Sequence, residues 1–246
     1  MKYTCAAIAM AVLIIDVIPA PAIVIRNDVP DARYKVASSE IPQLVDLPNE
    51  GHGILIAKRW VVTVGHAVRW GTPKQVTVSG EQGKVAAMIV HPGFRMPPDQ
   101  LVSMTGDAAP LMPALAASDD IALLELVELV EDVVPMPLYK GPDEQGQVVK
   151  IYGKGATANG LTGQYPNSPD RRDLRRAYNR ITSVDERWIG YRFDAGTEAL
   201  PLEGMLGDGD SGGPVVMESN GTHVLVGLSD RESWKGDLIY VPCGRL

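Results

Sequence analysis

Gly209-Asp210-Ser211-Gly212-Gly213-Pro214 sets one serine among three glycines and a proline. Glycine reaches positive φ without a Cβ penalty, and proline fixes its own φ, so this backbone bends tightly. With so few side chains, another molecule can approach the main chain closely. The N–H groups of Gly209 and Ser211 can then point into one space. That arrangement suits a nucleophile beside an anion-stabilising hole. A plain surface turn is the alternative reading of the same residues.

The six residues together resemble the nucleophile loop of chymotrypsin-like (trypsin-family) serine peptidases, of the secreted microbial type without disulfides. The resemblance makes a demand elsewhere in the chain. A serine hydroxyl is a poor nucleophile at neutral pH, so a histidine must take its proton and a buried carboxylate must orient that histidine. In the family these residues occur in the order His, Asp, Ser.

Working back towards the N-terminus, Gly53-Ile54-Leu55-Ile56, the turn Ala57-Lys58-Arg59 and Trp60-Val61-Val62-Thr63-Val64 read as a hairpin leading to Gly65-His66-Ala67. This segment resembles the family's base-bearing hairpin and makes His66 the general base. The family's disulfide beside this histidine has no counterpart, because its two positions read Gly51 and Ala67. Ser118-Asp119-Asp120-Ile121-Ala122-Leu123-Leu124 resembles the family's carboxylate motif and points to Asp120. Asp119 stands next to it as the one-residue alternative. Residues 121–134 also carry a helical period, but their β-branched content and the motif favour a strand.

The resemblance assigns further roles. Residues 1–22 read as a secretory signal: Lys2, an apolar run from Cys5 to Ile15, and Ala20-Pro21-Ala22 as the cleavage site. Cleavage there exposes Ile23, whose amino group would ion-pair with Asp210, although Ile25-Arg26 replaces the family's Gly-Gly. The simpler alternative is that Ile23 belongs to a strand or linker. Met205 falls at the floor of the substrate pocket, where trypsins carry an aspartate. Asp208 falls near the cleft entrance, and Glu203 is a second acid of that loop. Ser229 is the nearest match to a serine that supports the triad carboxylate and lines the cleft, with Asp230 open as the alternative register. His91 reads as a turn residue, and His52 and His223 as structural or surface residues. Residues 95–118 read as a loop. The basic cluster at 171–176 reads either as a site for an acidic partner or as a solvated, internally neutralised segment.

Composition bounds these readings. The chain has 246 residues, 25 Gly and 19 Pro, so turns between strands are favoured over a helical fold. Net charge is −7, which argues against a nucleic-acid surface. Of two cysteines, Cys5 lies in the signal segment, leaving Cys243 without an intrachain partner. No metal-ligand spacing is present, and the chemistry needs no cofactor. The fold implied is all-β: two six-stranded antiparallel barrels, about 23–138 and about 147–246, with the active site at their junction. The activity implied is that of a secreted or periplasmic, monomeric endopeptidase acting on polypeptides, free of the membrane after signal cleavage. A catalytically silent binding module on the same fold is the alternative. An esterase of other architecture would place its serine before its histidine, the reverse of the order here.

Overall fold

The computed structural model describes residues 23–49, 51–69, 71–98, 101, 110, 112–155, 157–159, 163–164, 173–230, 233–235 and 238–245. The expected signal segment lies outside them. Seventeen strands organise the described chain. In order they are β1 (Ile23–Ile25), β2 (Leu44–Asp46), β3 (His52–Ala57), β4 (Trp60–Thr63), β5 (Gln75–Val78), β6 (Glu81–Val90), β7 (Ala122–Leu126), β8 (Val148–Gly153), β9 (Thr157–Asn159), β10 (Gly163–Gln164), β11 (Arg175–Val184), β12 (Trp188–Arg192), β13 (Gly204–Met205), β14 (Pro214–Ser219), β15 (Thr222–Ser229), β16 (Ser233–Lys235) and β17 (Leu238–Arg245).

The first half closes into a barrel in the order β2-β3-β4-β7-β6-β5. Strand β7 shows why it closes. Its residues alternate between buried and half-buried, the period-2 pattern of a strand with one face on a core. Ala122, Leu124 and Leu126 point inward with Val45, Leu55, Val61 and Val78. The helical alternative for 121–134 therefore fails, and the strand ends at Leu126.

The second half is a sheet in the order β12-β11-β8-β14-β15-β17-β16, in which β12 also pairs with β17. It has seven strands where six were expected. The extra one is the short β16, an edge strand on β17. A smaller sheet, β10-β9-β1-β13, fastens the segment beginning at Ile23 to this half.

One hydrophobic cluster joins the halves: Ile54, Val62 and Val64 from the first pack with Tyr152, Val216 and Leu228 from the second. Each such side chain contributes about 1.5–3 kcal/mol by leaving water. The junction is therefore a core in its own right, and residues carried on either side of it are held in fixed register. One local reading needed revision. Residues 95–118 include a short helix α1 (Met112–Ala116), which Trp188 caps by donating its indole N–H to the Ala116 carbonyl. Residues 134–138 form no strand; Met136 N–H donates to the Leu55 carbonyl, and Leu138 makes an isolated bridge to Leu225.

The basic cluster is internally neutralised where it is described. Arg175, 1% exposed, makes a two-pronged pair with Asp31 at 2.7 and 3.0 Å. Arg176 pairs with Glu40 at 2.6 Å.

Candidate active site

Three side chains from the two halves meet at the junction. His66 opens a single 3-10 turn directly after β4. Asp120 precedes β7, and Ser211 precedes β14. His66 Nδ1 lies 2.7 Å from Asp120 Oδ2, and His66 Nε2 lies 2.8 Å from Ser211 Oγ. Asp120 Oδ1 also accepts the backbone N–H of His66 at 2.8 Å. The carboxylate thus holds both the ring and the main chain of the histidine. Two accepted N–H bonds favour its ionised form. The proton on Nδ1 follows from this partner, leaving Nε2 to accept from the serine hydroxyl.

The glycines around Ser211 answer steric demands. Gly212 has φ +75°, and a Cβ there would run into the His52 carbonyl and Thr63 Oγ1. A Cβ on Gly213 would come within 2.8 Å of the Asp210 carbonyl oxygen. Gly209 has φ +83°. The turn is fixed from both halves: Ser211 O accepts from His52 N–H at 2.7 Å, and Gly212 N–H donates to Ser229 O at 2.7 Å. Within the turn, the N–H groups of Asp210, Gly212 and Gly213 are taken by the carbonyls of Gly207, Ser229 and Asp210. The alternate pair, Gly209 and Ser211, is left over among the described residues, and these are the two donors an oxyanion would require.

Beneath the serine, Asp210 is completely buried. Burial holds its carboxyl above the usual aspartate range, although His52 and the N–H groups of Gly207, Gly155 and Ile23 pull the other way. The bonds from Gly155 and Gly207 are 2.7 and 2.9 Å long. Ile23 is itself fully buried and adopts φ +70°, a strained value for a β-branched residue. Its neighbour Val24 is locked between β9 and β13.

His52 emerges as a site residue that sequence reasoning left among the structural histidines. It is wholly buried. Its Nε2 accepts the Lys154 N–H at 3.3 Å and lies 3.9 Å from Asp210, while Nδ1 donates to Asp46 at 3.1 Å. Asp46 also pairs with Lys154 Nζ at 2.7 Å. Burial pushes the Asp46 carboxyl up, but His52 and Lys154 outweigh it and hold it at about 2. No motif surrounds His52, so only its place at the start of a buried hairpin strand hinted at it.

The structure corrects two expectations. Met205 lies in β13, fully buried among Val24, Ile151, Tyr191 and Val226, so it belongs to the packed core and not to an open pocket floor. Ser229 is the last residue of β15, and its buried hydroxyl has no hydrogen-bond partner among the described residues. The side chain facing the triad from this strand end is Asp230, whose Oδ1 lies 3.5 Å from His66 Nδ1. The same strand carries a bulge: Val215 pairs with Gly227 but Val216 with Leu225, which leaves Val226 as an extra residue in β15. Asp208 is exposed beside Gly209. Glu203 accepts the N–H groups of Asp194 and Leu200 and serves its own loop. His91 sits in its turn, accepting the Gly93 N–H at 3.1 Å.

Comparisons with known proteins agree with this geometry. The family model for trypsin matches residues 33–236. A curated relative, trypsin 5G1 of Aedes aegypti, is 26% identical over 212 residues, covering 79% of this chain and 72% of the relative. Among solved structures, a mutant of human heparin binding protein superposes with a TM-score of 0.62 at 17% identity, covering 87% of this chain and 90% of that one.

Proposed function

Because the chain belongs to the trypsin family of serine peptidases, we propose that it is an endopeptidase acting through an acyl-enzyme. Ser211 attacks the peptide carbonyl as His66 takes its proton at Nε2. Asp120 holds the ring and stabilises the imidazolium that forms. The Gly209 and Ser211 N–H groups receive the oxyanion. His66 then gives the proton to the leaving amine; in the second half it takes a proton from a water that attacks the acyl carbonyl, and returns it to Ser211 Oγ as the ester bond breaks and the acid product leaves. The observation that carries this reading is the continuous chain from Asp120 through His66 to Ser211, at 2.7 and 2.8 Å.

Three finer readings accompany it. Cleavage after Ala22 would put a free α-amino group where the Ile23 N–H already meets Asp210. An ammonium there would give the buried carboxylate a full counter-charge, and the strain at φ +70° would ease once no carbonyl precedes Ile23. Signal removal would then generate the active N-terminus and accompany secretion. Among the described residues no helix is long and apolar enough to cross a membrane. As to substrate, Met205 is packed into the core, so position 205 offers no carboxylate to pair with a Lys or Arg side chain, and no trypsin-like basic preference is expected. The structural neighbour's name refers to heparin binding; a net charge of −7 does not favour attraction of a polyanion to this chain.

The test is labelling of the purified mature protein with a fluorophosphonate probe, with Ser211→Ala as the control. Labelling lost in the control supports an activated serine. A folded protein that starts at Ile23 and takes no label would overturn the reading in favour of a silent binding module.

A further inference from the structure

Two buried acids, not one, border the Nδ1 edge of His66. Asp120 Oδ2 is 2.7 Å away and Asp230 Oδ1 is 3.5 Å away, and both side chains are 2% exposed. One ligand atom from each of the three residues lies within 4.8 Å of the others. Asp120 accepts two N–H bonds from His66, the Nδ1–H and the backbone N–H, which favour its ionised form. Asp230 comes from the end of β15, the strand whose neighbouring backbone fastens Gly212. It thus reaches the triad from the half that carries the serine.

Two anions this close, with so little water, repel each other, and such a pair keeps a proton that a lone carboxyl would lose. We propose that Asp230 is a positioning residue for the peptidase reaction, acting as a neutral carboxyl group that shares one negative charge with Asp120 around the Nδ1 edge of His66. The inference rests on the peptidase reading above. The pair would stand as a wall against which the imidazole rests, with one charge available to stabilise the imidazolium. Loss of the shared proton at alkaline pH would place a second negative charge there. That charge would hold the transferred proton on the ring instead of releasing it to the leaving amine, and would oppose the oxyanion forming at Ser211.

Other charged groups frame the pair without replacing it. Asp119, next in sequence, turns away to His91 and Arg187, each at 3.4 Å. Asp210 and His52 form a separate network beneath the serine.

The experiment compares wild type, Asp230→Asn and Asp230→Leu as full mature proteins, after wild type has been shown to label at Ser211. The pH profile of kcat/KM is measured together with kcat, KM and thermal melting. Asp230→Asn retains a neutral group of the same shape, and it is expected to carry activity at least one pH unit further into the alkaline range than wild type. Asp230→Leu removes the polar wall, and it is expected to lower kcat about 10-fold or more with KM unchanged. If the Leu variant does not fold, the Asn profile decides alone. Superimposable profiles for wild type and Asp230→Asn would overturn the proposal while leaving the peptidase reading intact. Failure of wild type to label would instead remove the reading on which it rests.

Discussion

Asp120 and Asp210 are both buried carboxylates, one on either side of the His66–Ser211 pair, and the fold treats them differently. Asp120 accepts a ring N–H and a main-chain N–H from the same residue, His66. Asp210 is served by the backbone of three separate segments, at Ile23, Gly155 and Gly207, with His52 nearby. In the proposed reaction the first acid would stabilise a charge that comes and goes on one side chain. The second ties together loops that are distant in sequence. A buried carboxylate therefore reports its job through its donors: one mobile donor residue indicates chemistry, several fixed backbone donors indicate assembly.

The contrast breaks if Asp120 is structural. Asp120→Asn should leave the melting temperature near wild type and lower kcat about 10⁴-fold, the loss known for serine-peptidase triads when the histidine is held in the wrong tautomer. A variant of normal activity would show that the acid does not act on His66.

A third acid placed where the fold offers no donor sharpens the rule. Met205 is fully enclosed by apolar neighbours. Met205→Asp should therefore destabilise the protein by about 3–5 kcal/mol without creating a preference for Lys or Arg. A stable variant that cleaves after basic residues would show instead that this position faces an open pocket.

Asp210 is tested through its partner. Protein beginning at Ile23 should exceed, about 100-fold in activity, protein that carries one additional residue before it. That factor corresponds to about 3 kcal/mol for a buried charge without its counter-ion. Equal activities would mean that the backbone N–H groups alone suffice.

Sequence reading reached most of this where glycine or a hydrophobic period left few choices. Gly212 and Gly213 are required by clashes that a Cβ would cause and Gly209 by its positive φ, and β3 and β4 follow from apolar runs around a polar turn. Gly51 and Ala67 do sit side by side: a Cβ on Gly51 would fall 3.2 Å from that of Ala67, as expected for a pair that has lost its bridge. What escaped depends on long-range register. Residue type drew the reading to Ser229 with Asp230 left open as the alternative register, and only the folded strand end shows that Asp230 is the one beside His66. His52 escaped because its role comes from Asp46, Lys154 and Asp210, which only the folded junction brings together. Met205 was assigned by its distance from Ser211, whereas its pairing with Val24 in the small sheet turns it into the core.

The smallest expected effect concerns that same junction and separates assembly from chemistry by pH. Asp46 is held at about 2 by His52 and Lys154 against the cost of burial, compared with the ordinary value of 3.8 for an exposed aspartate. A carboxyl held low in the folded state contributes stability that is fully present above its unfolded value. The contribution drains away as pH falls from about 4 towards 2. With the side chain 27% exposed, the shift corresponds to about 2 kcal/mol, somewhat reduced by solvent screening. Asp46→Asn should therefore unfold about 2 kcal/mol more easily than wild type at pH 7, and the two should converge near pH 2. Urea melts at a series of pH values would read this directly. A constant difference across that range would mean that Asp46 acts by shape and hydrogen bonding alone, and that the support beneath Asp210 is indifferent to charge.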